Sequence, residues 1–207
     1  MGFFDHALHR PPPPTEPRQR QRAMPGWVKP EAEVPRVVEL ATVLARSEKA
    51  AVALGQVRAY SSGFEFDLFA VLRRAELRSY PFWPIIEVHG DEIVPSDILR
   101  IGLQFADGAV LTNVDRRVGD ADPGDGPRGP MLTSGGSHAG QRRQDATFWV
   151  WPLPPPGPLT FVVEWPARQI PESRHEIDAS LILDAAARVI ELWPGEPSIV
   201  DDWAPTY

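Results

Sequence analysis

The segment Thr147–Pro166, TFWVWPLPPPGPLTFVVEWP, constrains the fold of this chain more than any other part of the sequence. Its two ends, Thr147–Trp151 and Leu159–Trp165, are rich in the aromatic and β-branched residues that favour strands. Apart from Leu153, the connector Pro152–Pro158 consists of Pro and Gly, and no helix can cross it, because each Pro removes a backbone donor and clashes with the preceding turn. We therefore predict two strands joined by a stiff loop, an aromatic hairpin.

Alternating apolar residues predict further strands upstream of this segment. The clearest period of two begins at Phe64, from which every second residue is apolar as far as Leu72. In the stretch before it, larger residues alternate with small ones, which predicts that five larger side chains share one face: Val52, Leu54, Gln56, Arg58 and Tyr60. Asp107-Gly108 is a strong signal for a tight hairpin turn. The predicted strands are Val37–Arg46, Val52–Tyr60, Phe64–Leu72, Ile98–Phe105, Ala109–Val114 and the short Met131–Thr133.

One helix is predicted, over about residues 178–193. Asp178 is a favourable N-cap, an apolar stripe runs from Leu181 to Trp193, and Pro194-Gly195 ends the pattern. Helical segments do not alternate with strands, so a βαβ fold is excluded. We predict a mainly β fold: an antiparallel β-sandwich of jelly-roll or immunoglobulin-like topology, without a disulfide and with one C-terminal α-helix.

Residues 1–33 are predicted to form a disordered arm rich in Pro and Arg, and residues 34–207 a single domain. Arg10–Pro17, RPPPPTEP, favours an extended polyproline conformation. Such tracts serve as ligands of SH3 or WW domains, as tethers, or as arms with no dedicated partner. We expect the arm to first touch the domain at Trp27.

Composition excludes several classes of function. The chain has no Cys, so disulfides, thiolate catalysis and Cys-based zinc sites are absent. Its net charge of −7 argues against broad binding to nucleic acid, which needs a basic face. There is no apolar run of the roughly 18–20 residues that a membrane span needs, and the N-terminus lacks the pattern of a signal peptide. We expect a soluble cytoplasmic protein with no cofactor and no nucleic-acid or membrane partner.

The Gly-rich segment Gly135–Gly140 is the main candidate for chemistry, within a predicted polar loop, Ser134–Asp145. It loosely resembles a nucleophile elbow, and the catalytic candidates are Ser137, His138 and Asp145. The motif requires Gly at the position where this chain has Ala139, and it requires a helix after the Ser, whereas a strand is predicted here. The same loop, with Arg142 and Arg143 beside it, is a candidate anion cradle.

Alternating acidic residues form a second candidate site. Asp120, Asp122 and Asp125 offer the hard oxygen ligands that Ca²⁺ prefers. The corresponding loop of an EF-hand ends in a bidentate Glu, whereas this chain has Met131 there. A solvated turn is therefore favoured over a metal site.

Aromatic side chains form a third candidate. Exposed on a sheet, Trp149, Trp151 and Trp165 would provide a stacking platform for a sugar or a Pro-rich peptide. Buried, they belong to the core, which is the commoner outcome for paired aromatic residues.

Three strings, WVWPLPPPGPLTFVVEWP, IPESRHEID and LILDAAARVIELWP, resemble a group of uncharacterised bacterial proteins. The resemblance covers roughly the last third of the chain. It implies a family and no activity.

Stiff loops over an aromatic scaffold favour a non-enzymatic interaction or assembly module. Its expected partner is another protein, bound through the Pro-rich arm, the Pro152–Pro158 loop, Asp115–Pro130 or Ser134–Asp145. Two alternatives remain: a hydrolase or small-ligand-binding protein that uses Gly135–Gly140, and a carbohydrate-binding sandwich that uses Trp149 and Trp151.

Overall fold

The computed structural model describes residues 21–75, 84–85, 96–114, 127, 129–196 and 199–201. These ranges form short strands joined mainly by turns, with one α-helix and one 3-10 turn, Pro166–Arg168, among them. In chain order the elements are β1 (Gln21–Ala23), β2 (Glu33–Val34), β3 (Arg36–Val38), β4 (Thr42–Arg46), β5 (Ala50–Ala59), β6 (Phe64–Leu72), β7 (Arg100–Gln104), β8 (Val110–Thr112), β9 (Met131–Ala139), β10 (Arg143–Trp151), β11 (Pro158–Trp165), β12 (Ile170–Asp178), α1 (Ser180–Ala186), β13 (Ile190–Glu191) and β14 (Ile199–Asp201).

Within these ranges the strands form two larger sheets and two short ribbons, all antiparallel. The large sheet has the order β3-β5-β6-β10-β9, with β4 also paired to β5. The small sheet has the order β12-β11-β7-β8. The ribbons are β1 with β14 and β2 with β13. The prediction of a mainly β, antiparallel fold with one helix is confirmed for the described residues.

The two larger sheets meet through aromatic side chains in a shared core. The rings of Phe66 in the large sheet and Phe161 in the small sheet pack edge to face, with centroids 5.3 Å apart. Phe66 also stacks on Phe148 of β10 at 5.4 Å. The predicted inward row of β6 is confirmed, since Phe64, Phe66, Leu68, Ala70 and Leu72 are all at most 2% exposed. Two facing sheets around one such core are consistent with the predicted sandwich.

The predicted aromatic hairpin is wrong in its pairing. β10 pairs with β6 and β9, whereas β11 pairs with β7 and β12, so the Pro152–Pro158 connector carries the chain from one sheet to the other. Each of the two strands buries one face. A hairpin would have put both buried faces in the same sheet, whereas here they belong to different sheets. The connector packs against the body: Leu153 N–H donates to the Ser62 carbonyl, and the Gly157 carbonyl accepts from Ala179 N–H.

The prediction that Val52, Leu54, Gln56 and Arg58 share one face of β5 is wrong, because β5 contains a β-bulge. The register with β6 shifts between Leu54 and Val57, so Val52, Leu54 and Val57 all face the core. Gln56 and Arg58 therefore lie on the outer face, contrary to the simple alternation. The predicted strand Val37–Arg46 is likewise divided, into β3 and β4, which pair with different parts of β5.

The helix is much shorter than predicted. It spans Ser180–Ala186, its N-cap position is Ala179, and the Asp178 carboxylate accepts a hydrogen bond from Ser180 N–H at the turn before it. The chain then leaves helical geometry because the backbone after Ala186 finds partners in the β2–β13 ribbon, where Ile190 faces Val34. The apolar stripe predicted to run to Trp193 ends with the helix; Trp193 is 60% exposed. No helix among the described residues has the length and apolarity of a membrane span.

The boundary of the N-terminal arm also changes. Residues 21–23 form β1, and Glu33 binds the Ser61 backbone N–H and hydroxyl through its carboxylate. Within the predicted arm, residues 21–23 pair with β14, and Trp27, Lys29 and Glu33 bond to the large sheet and to the turn after β5. The Pro-rich tract itself lies outside the described residues.

Candidate interaction surface

The β9–β10 hairpin replaces the predicted polar loop Ser134–Asp145. β9 runs without a break through the Gly-rich segment, and the chain reverses at residues 140–143, where Gly140 N–H donates to the Arg143 carbonyl at 2.8 Å. Small polar side chains give little sign of a strand in the sequence, because their pattern contains no buried face. Here the strand forms because its backbone pairs with β10 along residues 131–139.

β9 is the last strand of the large sheet in the described part of the chain. Five consecutive residues, Ser134–His138, are exposed. Strands at sheet edges are usually protected by charged side chains or Pro, and β9, MLTSGGSHA, contains neither. A register shift opposite Thr147/Phe148 leaves Gly135 outside the regular pairing, and a bulge of this kind is one of the devices that protect sheet edges.

Hydrogen-bond alternation identifies the outward-facing backbone groups of β9. Gly140 pairs with Arg143 through a backbone hydrogen bond, and directly bonded positions recur at every second residue of an antiparallel ladder. His138 and Gly136 thus direct their N–H groups to β10, whereas Ser137 and Ala139 direct theirs away from the sheet. Those outward groups are the ones that an added strand would bind.

The predicted catalytic residues do not form a triad. The Ser137 hydroxyl donates to the Asp145 backbone carbonyl at 3.1 Å and accepts from the Gln144 side chain at 2.6 Å. Neighbouring side chains of a strand point to opposite faces of the sheet, so the side chains of Ser137 and His138 lie on opposite faces. The Asp145 carboxylate is bound by the Arg143 guanidinium. The geometry gives no support to the hydrolase alternative.

Gln144, which the sequence did not single out, holds this hairpin to the body. It is fully buried, and its side-chain amide accepts from Ile85 N–H at 2.7 Å and donates to the Ile85 carbonyl at 2.9 Å. A polar residue between two charged ones gives no sequence signal of burial. Its role is to satisfy buried backbone groups.

The predicted anion cradle is not formed as expected, because the N–H groups of Gly135–Gly140 belong to a strand. Arg142 uses its guanidinium to bind the backbone carbonyls of Leu72 and Arg73 at 2.9–3.1 Å. Arg143 lies over the Phe69 ring at 4.3 Å, and its hydrogen bond to Asp145 raises the pKa of the guanidinium.

Two of the three candidate binding tryptophans are buried, which corrects the predicted stacking platform. Trp165 is fully buried, and its indole N–H donates to the Asp97 carbonyl at 2.9 Å. Trp149 is 5% exposed; its ring packs edge to face on Tyr60 and its indole N–H donates to the Trp27 carbonyl. Trp151 is intermediate in exposure. A platform that needs Trp149 is therefore not available for a sugar.

A charged network lies beside Trp149 on the outer face of the large sheet. Arg58 bridges Glu65 and Asp67, and Lys29 binds Glu65 at 3.0 Å from the N-terminal segment. The hydrogen bonds that Arg58 donates to Asp67 raise the pKa of the Arg58 guanidinium. Burial would raise the pKa of Asp67, but the hydrogen bonds from Arg58 and Thr147 outweigh it and lower the pKa.

Tyr60 completes this network. Burial, with the nearby Glu65 carboxylate, raises the pKa of Tyr60 to about 12. Arg58 and Glu65 face each other across β5 and β6, a pairing that becomes visible in the sequence only once the bulge in β5 is known. Because the carboxylates of Glu65 and Asp67 are matched by Arg58 and Lys29, the network joins the N-terminal segment to the large sheet.

No group of three or more metal-ligating side chains occurs among the residues that the structure describes. Asp120, Asp122 and Asp125 lie outside those residues. The calcium site at these three residues therefore stays a prediction.

The chain matches no protein-family model, no curated protein and no solved structure. Its resemblance to a group of bacterial proteins in the last third of the sequence stays a prediction.

Proposed function

We propose that this protein is a non-enzymatic interaction module of the bacterial cytoplasm that binds an extended segment of a partner protein along β9. The observation that carries the proposal is that β9, which is an edge strand within the described residues and has neither charge nor Pro, exposes Gly135–His138. Strand addition needs such an edge, with backbone donors and acceptors directed away from the sheet.

Other surfaces support an interaction role less well. The Pro152–Pro158 loop is held between the two sheets, with Pro154 buried. Among the described residues the Ser137 hydroxyl is bonded to Gln144 and to the Asp145 carbonyl rather than to a base, and Trp149 is buried, so the hydrolase and carbohydrate alternatives are less well supported. The Pro-rich arm remains a second proposed attachment point for a partner.

The proposal can be tested with a matched pair of substitutions at one residue. Ser137→Pro removes the outward backbone N–H, whereas Ser137→Ala removes the hydroxyl and keeps that N–H. Pro is tolerated at this orientation of an edge strand because the lost donor is not part of the ladder. Circular dichroism and thermal unfolding establish that both variants fold.

Peptides selected from a random display library against the wild-type protein are then measured on both variants. We expect binding to Ser137→Ala to equal that to the wild type, and binding to Ser137→Pro to fall by about tenfold, the value of one to two hydrogen bonds. Hydrogen exchange should slow at residues 134–139 when peptide binds. Equal binding to the Pro variant, protection confined to other regions, or a library without binders would each contradict the proposal.

A further inference from the structure

A groove lined by basic side chains lies at one end of the large sheet, apart from the exposed β9 edge. It has a volume of about 450 Å³ and lies where the β4–β5 turn meets the end of β6. Its floor is formed by the small or apolar side chains of Ala51 and Val71. Its lining includes Arg46, Arg73 and Arg142.

Sheet register explains why these arginines converge. Arg46 faces Ala51 across β4 and β5, and Ala51 faces Val71 across β5 and β6. Directly opposed residues lie on the same face of a sheet, and Arg73 follows Val71 by two residues, so it projects to that face as well. Because Ala51 is small, the longer arginine side chains rise around it and leave a depression between them.

Two arginines of the groove have guanidinium groups that can bind a ligand. Among the described residues, the Arg46 side chain donates no hydrogen bond and is exposed. Arg73 is paired with Glu48, whose side chain is 89% exposed, and an ion pair in that position is weak. The third, Arg142, is anchored by the Leu72 and Arg73 carbonyls through Nε and Nη2, so its Nη1 group is held at the rim.

Local charge distinguishes this groove from the rest of the molecule. Three arginines, Arg46, Arg73 and Arg142, line the groove, with Glu48 as the acidic residue of its lining. The chain as a whole carries a net charge of −7. A basic concavity on an acidic protein attracts anions.

We propose that this groove binds a phosphate-class dianion. Planar guanidinium groups match the oxygens of phosphate through paired hydrogen bonds. A ligand must compete with the Glu48 carboxylate for Arg73, and a dianion does so more strongly than a monoanion because its Coulomb attraction is about twice as large. The site is independent of β9, so either proposal can fail alone.

Titration of the ¹⁵N-labelled full chain with inorganic pyrophosphate, inorganic phosphate and acetate, at low and constant ionic strength, tests this site. We expect saturable shifts at residues 46–51 and 71–73. Inorganic phosphate should bind more tightly than acetate, and pyrophosphate, which carries more charge, at least tenfold more tightly than acetate. Arg46→Gln and Arg73→Gln should each weaken pyrophosphate binding by about tenfold, the usual loss for one charge-assisted hydrogen bond. Glu48→Gln should strengthen it, because the competing carboxylate is gone.

Arg174→Gln is the matched control, since Arg174 is an exposed arginine of β12 in the other sheet, also paired with a carboxylate. It should leave the affinity unchanged. All these side chains are exposed, so the variants should fold, and their spectra report whether they do. Equal affinity for acetate, weakening of binding by Glu48→Gln or no change with it, or an equal loss with Arg174→Gln would overturn the assignment.

Discussion

The indole N–H of Trp149 in β10 donates a hydrogen bond to the backbone carbonyl of Trp27, 122 residues earlier in the chain, at 2.9 Å. This bond, together with the ion pair of Lys29 and Glu65, attaches the N-terminal segment to the outer face of the large sheet. The residue that the sequence suggested as a ligand platform is therefore occupied by the chain itself.

Trp149→Phe should lower the free energy of unfolding by about 1–2 kcal/mol, because the Trp27 carbonyl loses its donor while most of the ring packing is kept. Amide exchange in residues 24–30 should become faster. Urea denaturation and hydrogen exchange measure the two effects. Trp193→Phe is the control: that side chain is 60% exposed, and its loss should change stability by less than about 0.5 kcal/mol.

Phe66→Ala should lower the free energy of unfolding by about 3–5 kcal/mol, because Phe66 is fully buried and contacts Phe148 and Phe161 of both sheets. Chemical denaturation measures the loss. Val110→Ala, at a side chain that is 56% exposed, should have a small effect. A loss below about 1 kcal/mol at Phe66 would show that the two sheets do not share this contact.

Gly63→Ala should be strongly destabilising, because an added Cβ would overlap the Val150 carbonyl oxygen and lie 2.7 Å from the Trp149 ring. Backbone cannot give way as a flexible side chain does, so we expect a loss of about 1–3 kcal/mol or more. Gly26→Ala is the matched control, since its Cβ would meet nothing within 4 Å. Thermal unfolding of the two variants side by side gives the comparison.

Stability should fall in alkaline solution as Tyr60 ionises. Its folded-state pKa of about 12 lies above the ordinary value of 10.0, so its contribution is complete below pH 10 and is lost as the pH rises from about 10 towards about 12. Ultraviolet absorbance of tyrosinate and unfolding at a series of pH values measure it. Tyr60→Phe should flatten the dependence; an unchanged slope in that variant would assign it to other groups.

Stability should also fall in acid through Asp67. The hydrogen bonds from Arg58 and Thr147 hold its pKa below the ordinary 3.8, so its contribution is present above that value and is lost as the pH falls through the lower folded-state pKa. Asp67→Asn should reduce the steepness of the acid transition. Asp107→Asn, at an exposed turn residue, is the comparison, and equal flattening by both variants would count against the role of Asp67.

Features that depend on neighbouring residues were predictable from the sequence. The Phe row of β6 and the turn at Asp107-Gly108 follow from local rules: side chains of a strand alternate, and Gly108 adopts a φ of +87° that Gly allows. The absence of Cys and the stiff connector Pro152–Pro158 likewise limited the choice to a β fold without disulfides. These rules act within a few residues and need no knowledge of the partner strand.

The pairing of strands that are distant in the sequence was decided by the tertiary structure. β10 and β11 belong to different sheets because each buries its inner face against the other sheet, and nothing in their own sequences distinguishes this from a hairpin. β9 is a strand only because β10 lies beside it, and the residues after Ala186 leave the helix because β2 offers them backbone partners. Likewise, Ala51 and Val71 become the floor of a basic groove only when β4, β5 and β6 lie side by side, because hydrogen bonds between strands join residues that the local pattern cannot relate.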